Sequence, residues 1–385
     1  MRKYIAKKKY KLITYLLGLY FLMIPLDTFK IVDGITLLKI ASIIPIIISP
    51  FYINLHNINI SKIKKNGSIF LVIFLFLSAF QLFFSPYTAE IVNKLETLLV
   101  HLLFIIIMSV IDFDDEEVQF LKKCFCSMSI MAVAMIPFFK YDFEGRLTLS
   151  FFGSMEDPNQ FGGYLAPGLL YYFKKTFDEK KVSKKIISLI ISITLLFVAF
   201  LTGSRGALLA IIISCATLYL ISNKKNHLGK RAASLIMVSV LIIIVVSLIN
   251  SFMDVDIIER FTVNDVAKSG GTGRMQIWEF YMDYYKNSNL VQKMFGHGLG
   301  SLSAIYRVAH NTWIDVLIGN GLIGLLLFIT FFSKNLINTI KRKDELLIAQ
   351  IVAIVVLTMS LSLLSYKPIW ALFALISITL SKDKK

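Results

Sequence analysis

The chain has 385 residues, of which 56% are hydrophobic and 17% charged, with 31 phenylalanines and a net charge of +16. A water-soluble globule of this size cannot bury so much apolar surface, so the composition excludes a soluble protein. The three cysteines lie in or beside apolar runs, which excludes a disulfide framework and leaves too few ligands near them for a metal site.

Twelve apolar runs are candidates for helices that cross a bilayer core about 30 Å thick. They cover residues 13–29, 35–53, 68–84, 91–111, 120–139, 159–173, 186–202, 206–222, 232–252, 311–332, 346–364 and 367–381. The sequence therefore predicts an all-α polytopic membrane protein that forms a single integral membrane domain over residues 1–385. Residues 253–310 form its one long extracytoplasmic loop.

The positions of the charges predict the orientation of the chain in the membrane. The basic start at residues 1–11 is followed by an apolar run without a cleavage site, which indicates an uncleaved anchor with its N-terminus in the cytoplasm. With this orientation, the seven cytoplasmic segments hold 28 of the 41 lysines and arginines but only 10 of the 25 carboxylates. This is the positive-inside pattern, so both termini are expected in the cytoplasm and nucleic acid is not needed to explain the basic pI.

The tight connection between the seventh and eighth spans carries the first unusual polar group. Arg205 lies at its outer tip between Gly203 and Gly206, and Ser204 can cap the eighth span. A helix N-terminus with an added guanidinium binds phosphate well, whereas a lone interfacial arginine can also simply extend to lipid headgroups. The flanking glycines indicate that a ligand or another backbone comes close.

A second polar cluster lies in the outer connection that precedes the sixth span. Arg146 is followed by Asp157 and Pro158, a good N-cap and first-turn pair for that span. Asn159 is then either a polar contact in a cavity or a part of the cap, and the sequence leaves both interpretations open.

The long loop contains an amphipathic helix that starts near Arg274. Trp278 and Tyr281 share one face of this helix, either as interfacial aromatic residues or as surfaces on which a sugar can stack. A cation in the first turn opposes the helix dipole, so Arg274 indicates an anionic ligand.

The end of the loop combines a glycine-rich turn, expected to be flexible, at residues 296–300 with a polar start of the tenth span. His310 lies where an apolar helix meets water and can exchange a proton near neutral pH, or it can act as a capping residue. Asn311 and Asp315, together with the two arginines of the outer clusters, favour a functional site.

These motifs, taken in chain order, resemble those of the O-antigen ligase and polysaccharide polymerase family. The resemblance extends over residues 146–328 and includes D-P-N at residues 157–159. It also includes G-S-R-G-A-L-L-A at 203–210, an outer segment that opens with Arg274, G-H-G-L-G at 296–300, and H-N-T-W at 310–313 followed by G-N-G-L-I-G at 319–324.

The resemblance implies an inverting glycosyltransferase with GT-C-like architecture in the bacterial cytoplasmic membrane. Its donor and acceptor are glycans carried by undecaprenyl diphosphate, and it uses neither a cofactor nor a metal. Arg205 and Arg274 match the functional arginines of the family, and His310 matches its functional histidine. Membrane lipids, a flippase and chain-length regulator proteins are the further partners that the family implies.

Two enzyme functions and one transport function remain as alternatives. A polymerase of repeat units for a capsule, O-antigen or teichuronic-type polymer is favoured over a ligase, because heavy use of Lys, Ile, Asn and Phe indicates an AT-rich genome and a Gram-positive envelope. A lipid-linked oligosaccharide flippase or transporter would place ionisable groups near the bilayer midplane, where the sequence has few besides Lys39, Lys94 and Glu96.

The topology can be tested by labelling single cysteines in intact cells. A cysteine introduced at Ser269 should react with a membrane-impermeant thiol reagent from outside, whereas one at Ser183 should not. The wild-type chain, with its own three cysteines, gives the background. Reaction of the Ser183→Cys protein from outside would show that the orientation is wrong.

Overall fold

A computed structural model describes residues 10–32, 35–53, 63, 65–222 and 273–380, and these ranges are mostly helical. The helices are α1 (Leu12–Met23), α2 (Leu37–Ile48), α3 (Ser68–Phe80), α4 (Thr88–Val110), α5 (Asp115–Ala134), α6 (Pro158–Asp178), α7 (Val182–Leu201), α8 (Arg205–Ser222), α9 (Arg274–Asn287), α10 (Leu290–Phe295), α11 (Leu302–Ile305), α12 (Thr312–Arg342), α13 (Glu345–Thr358) and α14 (Lys367–Leu380). Short 3₁₀ turns extend α1, α2 and α3.

These helices correspond to the predicted spans. Every predicted span except 232–252 overlaps one of them. That span lies outside the described residues, as does the part of the long loop at 253–272. Within the described ranges, α4, α7, α8 and α12 are long and apolar enough to cross a membrane, and several shorter helices are also apolar. The helical membrane architecture is therefore supported, while the count of twelve stays a prediction.

The centre of the bundle is built on α6 and α14. All residues of α14 from Pro368 to Leu380 are buried, as are residues 161–170 of α6. A helix that is buried on all sides has neighbours all round it. Accordingly α6 packs against α5, α7, α8 and α13, and α14 packs against α4.

One end of the bundle is tied together by ion pairs between segments that the charge count places in the cytoplasm. The pairs are Lys11 with Glu117 at 3.3 Å, Lys174 with Glu345 at 2.5 Å, and Lys122 with Asp344. Helix α5 leads away from this end and α6 returns to it. We call it the basic end, and the connection between these two helices lies at the opposite end.

Two small antiparallel sheets interrupt the helices. Strands β1 (Lys30–Val32) and β2 (Ile35–Thr36) form the first, and β3 (Phe139–Tyr141), β4 (Leu147–Phe151) and β5 (Ser154–Met155) form the second. In the second sheet Phe139 pairs with Leu149 and Ser150 with Met155. The all-α prediction missed these strands, although the alternation in Leu-Thr-Leu-Ser-Phe at 147–151 is a strand signal. The turn from β3 to β4 carries Arg146 away from the basic end.

Helix α12 is broken at Gly321, whose backbone has φ 66° and ψ −171°. This conformation is open essentially to glycine alone. The break leaves carbonyl groups of the preceding turn without partners in their own helix. The glycine-rich turn at 296–300 supplies the missing donors, because His297 N–H donates to Ile318 O at 2.9 Å and Gly298 N–H donates to Gly319 O at 3.0 Å.

Gln81 completes this junction from the end of the third span. Its side-chain nitrogen donates to Phe295 O at 2.6 Å and to Gly319 O at 2.7 Å, and its side-chain oxygen accepts from Leu299 N–H at 2.9 Å. The sequence predicted a flexible glycine-rich turn here. That prediction is wrong, because residues 296–299 are buried and hydrogen-bonded; the glycines serve close backbone packing.

Replacing Gly296 by alanine should destabilise the protein strongly. Its φ is 85°, and a Cβ there would lie 2.2 Å from Gly319 O, a backbone atom that cannot move aside cheaply. Gly153 is the control, since it also has φ 85° but has nothing within 4 Å of a Cβ. We expect Gly153→Ala to cost about 1–2 kcal/mol from backbone strain alone, and Gly296→Ala to accumulate poorly or to unfold at a much lower temperature in detergent. Equal unfolding temperatures for the two variants would contradict the junction described above.

Candidate functional site

A cavity of about 600 Å³ lies at the end of the bundle opposite the basic end. Three parts of the chain form it: the β3–β4 turn with the start of α6, the connection between α7 and α8, and the segment from α9 to the start of α12. Its polar wall consists of Glu144, Arg146, Asp157, Asn159, Arg205, Arg274, Ser303, Arg307 and His310.

Arg205 reaches the cavity from the first turn of α8. Ala207 N–H donates to Ser204 Oγ at 3.2 Å, which caps the helix. A Cβ on Gly206 would lie 2.2 Å from Ser360 Oγ, and one on Gly162 would lie 2.8 Å from the Cβ of Ala207. The glycines thus let the α7–α8 connection touch both the turn after α13 and the start of α6.

Arg274 approaches the cavity from the first residue of α9. Its Nη1 donates to Ser360 O at 2.8 Å, so the guanidinium is held by the turn that also contacts Gly206. Arg274 and Gly206, the neighbour of Arg205, therefore contact the same turn, although the two arginines lie about 70 positions apart in the sequence. This explains why a cation is tolerated at a helix N-terminus, where the dipole opposes it.

Arg146 and Asn159 line the cavity from the β3–β4 turn and the start of α6, and each is fixed by a carboxylate. Arg146 pairs with Asp142 at 2.7 Å and with Glu144 at 3.2 Å. Asp157 caps α6 and accepts from Asn159 through both the backbone N–H at 2.7 Å and the side-chain nitrogen at 2.8 Å. Asn159 thus belongs to the cap and also lines the cavity.

His310 closes the cavity from the segment that precedes α12. Its φ is 49°, a left-handed conformation that costs a residue other than glycine on the order of 1–3 kcal/mol. Neighbouring hydrogen bonds hold the segment in place: Trp278 Nε1 donates to Ala309 O at 2.8 Å, and Tyr281 Oη donates to Arg307 O at 2.6 Å. Strain that the surroundings enforce at a polar residue in a cavity is typical of functional sites.

The charges around His310 act on it in opposite directions. Burial lowers the pKa of His310, Arg274 lowers it further, and Asp157 raises it. The neutral imidazole, which can accept a proton, therefore persists to lower pH than in an exposed histidine. Next to the wall, burial and the neighbouring Asp27 and Asp157 raise the pKa of the Glu156 carboxyl to about 8.

Five other residues predicted from the sequence do not line the cavity. Ser204 caps α8 and is buried, with 1% of its surface exposed. Tyr281 is fully buried and binds backbone carbonyls instead of facing an open surface. Asn311 caps α12 by accepting from Trp313 and Ile314 N–H, and Asp315 lies within the bundle, where it interacts with Lys94. Trp278, also absent from the wall, anchors the loop before His310.

The sequence did not single out Glu144, Ser303 or Arg307 as site residues, and it assigned Asp157 only a capping role. These residues lie on turns whose approach to the cavity depends on packing between distant segments. An interrupted polar run at 142–146 was the available signal for Glu144. Among the described residues, no group of three or more His, Cys, Asp or Glu side chains is arranged to hold a metal ion.

Comparison with known families gives one match. Residues 190–329 match the model of the family described as O-antigen ligase. This confirms the family resemblance recognised from the motifs, and it supports a membrane enzyme that processes glycans. The matched region contains Arg205, Arg274 and His310, but the wall that carries Arg146 and Asp157 lies outside it. No curated protein matches the chain.

The cavity should bind inorganic pyrophosphate, because the four arginines that line it outnumber the two carboxylates and leave an excess of positive charge. A ligand at a concentration of one hundred times its Kd stabilises the folded protein by about 2.7 kcal/mol, which raises the unfolding temperature measurably. Arg274→Gln should remove most of this increase. Lys286→Gln is the control, since Lys286 lies on the same helix but is exposed and paired with Asp283 at 3.0 Å. An undiminished increase in the Arg274→Gln protein would rule out this site for the anion.

Proposed function

We propose that the chain is a membrane glycosyltransferase that polymerises undecaprenyl-diphosphate-linked oligosaccharide repeat units of a cell-surface polysaccharide. The observation that carries this proposal is the convergence of Arg205, Arg274 and His310 on one cavity within a region that matches the O-antigen ligase family. A cation pair beside a proton acceptor suits transfer from a lipid diphosphate, because the cations can stabilise the leaving group and the base can take the acceptor's proton.

The proposed location is the outer face of a bacterial cytoplasmic membrane, with both termini inside. The cavity lies at the opposite end of the bundle from the lysine-rich ion pairs. Because positive loops stay in the cytoplasm, this arrangement favours an extracytoplasmic cavity. Lipid-linked glycans that have been moved across the membrane would meet the cavity there.

In the proposed reaction the acceptor sugar hydroxyl attacks the anomeric carbon of the donor glycan. His310 takes the hydroxyl proton as the new carbon–oxygen bond forms. The bond from the anomeric carbon to the diphosphate oxygen breaks on the opposite face, so the configuration inverts. Undecaprenyl diphosphate leaves with the bonding electron pair.

The arginines stabilise the negative charge that develops on the leaving diphosphate. Guanidinium groups form bidentate hydrogen bonds with phosphate oxygens, and they are more effective in a partly enclosed site than in water. Arg274 is already oriented by Ser360 O, and Arg205 is fixed at the first turn of α8. Because these cations can take the charge of the leaving group, we propose that the reaction needs no added metal.

The acceptor distinguishes the polymerase from a ligase, and the site itself is compatible with either. A polymerase transfers the growing glycan to a second lipid-linked repeat unit, whereas a ligase transfers it to a different molecule. We favour the polymerase on the compositional argument given above. Supplying only the lipid-linked repeat unit therefore tests the proposal directly.

Purified protein given only its lipid-linked repeat unit, with a chelator and without nucleotide sugar, should produce longer lipid-linked glycans. Arg205→Ala and Arg274→Ala should abolish elongation, and Arg205→Lys should restore it only in part, because a point charge does not replace the bidentate guanidinium. His310→Ala should slow elongation by about 10² to 10⁴, the range for general-base assistance. Gel separation of the products measures all of these outcomes.

Lys286→Ala is the control for loss of one positive charge outside the cavity and should elongate normally. Elongation that depends on an added divalent metal would contradict the metal-independent mechanism. Transfer only to a different added acceptor would indicate a ligase. Movement of the lipid-linked unit across liposomes without any lengthening would replace the glycosyltransferase proposal with a flippase.

A further inference from the structure

We propose that Asp157 is a positioning residue that acts through His310, by stabilising the positive charge that the imidazole acquires when it takes the acceptor's proton. This inference rests on the proposed function, since it presupposes a reaction in which His310 accepts a proton. Asp157 lies outside the region matched to the O-antigen ligase family, and it belongs to a different part of the chain from His310.

The carboxylate of Asp157 is fixed in place on the cavity wall. Its Oδ1 accepts from Asn159 N–H at 2.7 Å and from Asn159 Nδ2 at 2.8 Å, and Pro158 begins α6 directly behind it. The start of α6 is held against the α7–α8 connection, because Gly162 leaves no room for a side chain beside Ala207. Asp157 therefore faces the cavity as part of a rigid helix terminus.

His310 lines the same cavity from the segment that precedes α12. Its left-handed backbone is kept by the segment before it, whose carbonyls at Ala309 and Arg307 accept from Trp278 and Tyr281. The fold thus brings Asp157 and His310 to one cavity from two distant parts of the chain.

A protonated His310 needs a nearby negative charge because of the other groups that line the cavity. Arg274 of α9, Arg205 of α8, Arg307 of the adjacent loop and Arg146 of the β3–β4 turn are all cationic. A protonated imidazole among them is disfavoured, which suits a base before the reaction but opposes the proton transfer itself. A carboxylate that interacts with the imidazole offsets this repulsion.

Two carboxylates line the cavity, and they differ in their partners. Glu144 pairs with Arg146 at 3.2 Å, so its charge is used at the β3–β4 turn. Asp157 is bonded to Asn159, a neutral residue, and it acts electrostatically on His310. Glu144 therefore serves as a matched control for Asp157, with the same charge on the same cavity wall.

Asp157→Asn tests the inference because it removes the charge while its amide oxygen can still accept from Asn159 N–H and cap α6. The elongation rate of the lipid-linked repeat unit is measured against pH for the wild type, Asp157→Asn and Glu144→Gln. We expect Asp157→Asn to lower kcat about tenfold or more with a smaller change in KM. The acidic limb of the pH–rate profile of this variant should move to lower pH, because loss of the negative charge lowers the pKa of His310.

The position of the acidic limb is the decisive reading. Glu144→Gln should leave it where it is in the wild type, whatever its effect on rate. Asp157→Ser is a second neutral cap that should shift the limb in the same direction, so a folding defect peculiar to one variant does not hide the result. A wild-type limb position in folded Asp157→Asn and Asp157→Ser proteins would reduce Asp157 to a helix cap and overturn the inference.

Histidine-selective isotope labelling separates this outcome from a failure of the proposed function. The chain has five histidines, and a His310→Gln sample identifies the resonance of His310 by its loss. Its titration midpoint should fall in the Asp157→Asn protein and stay unchanged in the Glu144→Gln protein. A wild-type protein that never elongates its substrate would refute the proposed function, whereas an unchanged midpoint in an active enzyme would refute only the role of Asp157.

Discussion

The break in α12 at Gly321 is the constraint on which the rest of the site depends. It exposes carbonyl groups that an uninterrupted helix would satisfy, and the turn at 296–300 and Gln81 must satisfy them instead. Only a short segment, which includes α11, connects this turn to His310. Docking of the turn therefore limits where His310 can lie. The hydrogen bonds around the break within α12 thus help to set the position of His310, the proposed base.

The arginines are positioned by close packing at glycine. Gly206 and Gly162 bring the start of α8 against Ser360 and against the start of α6. The same turn at Ser360 accepts from Arg274, which belongs to a helix some 70 residues farther along the chain. Small residues that let helices approach closely are typical of membrane bundles. Here the same packing places Arg205 and Arg274 on one cavity, so it serves both stability and the site.

The cavity joins two regions of different origin in the chain. Arg205, Arg274 and His310 come from the region that matches the O-antigen ligase family, while Arg146, Asp157 and Asn159 come from the sheet and helix start that precede it. The first region supplies cations and the proposed base. The second supplies the carboxylates that balance them, and burial in the enclosed site makes each of these charges count for more than it would in water.

The sequence by itself determined the membrane class, the positions of the helices and the chemistry of the main groups, because apolar length and isolated polar residues are local signals. It identified Arg205, Arg274 and His310 from their neighbours in the chain. Only the tertiary structure decided which of the polar residues share a cavity. Tyr281, Asn311 and Asp315 look as polar in the sequence as His310, yet they bind backbone, cap a helix or pair within the bundle. Arg307 and Glu144 lie on the wall, and Asp157 lines the cavity in addition to capping α6, because contacts between segments far apart in the chain place them there. No local pattern in the sequence encodes such contacts.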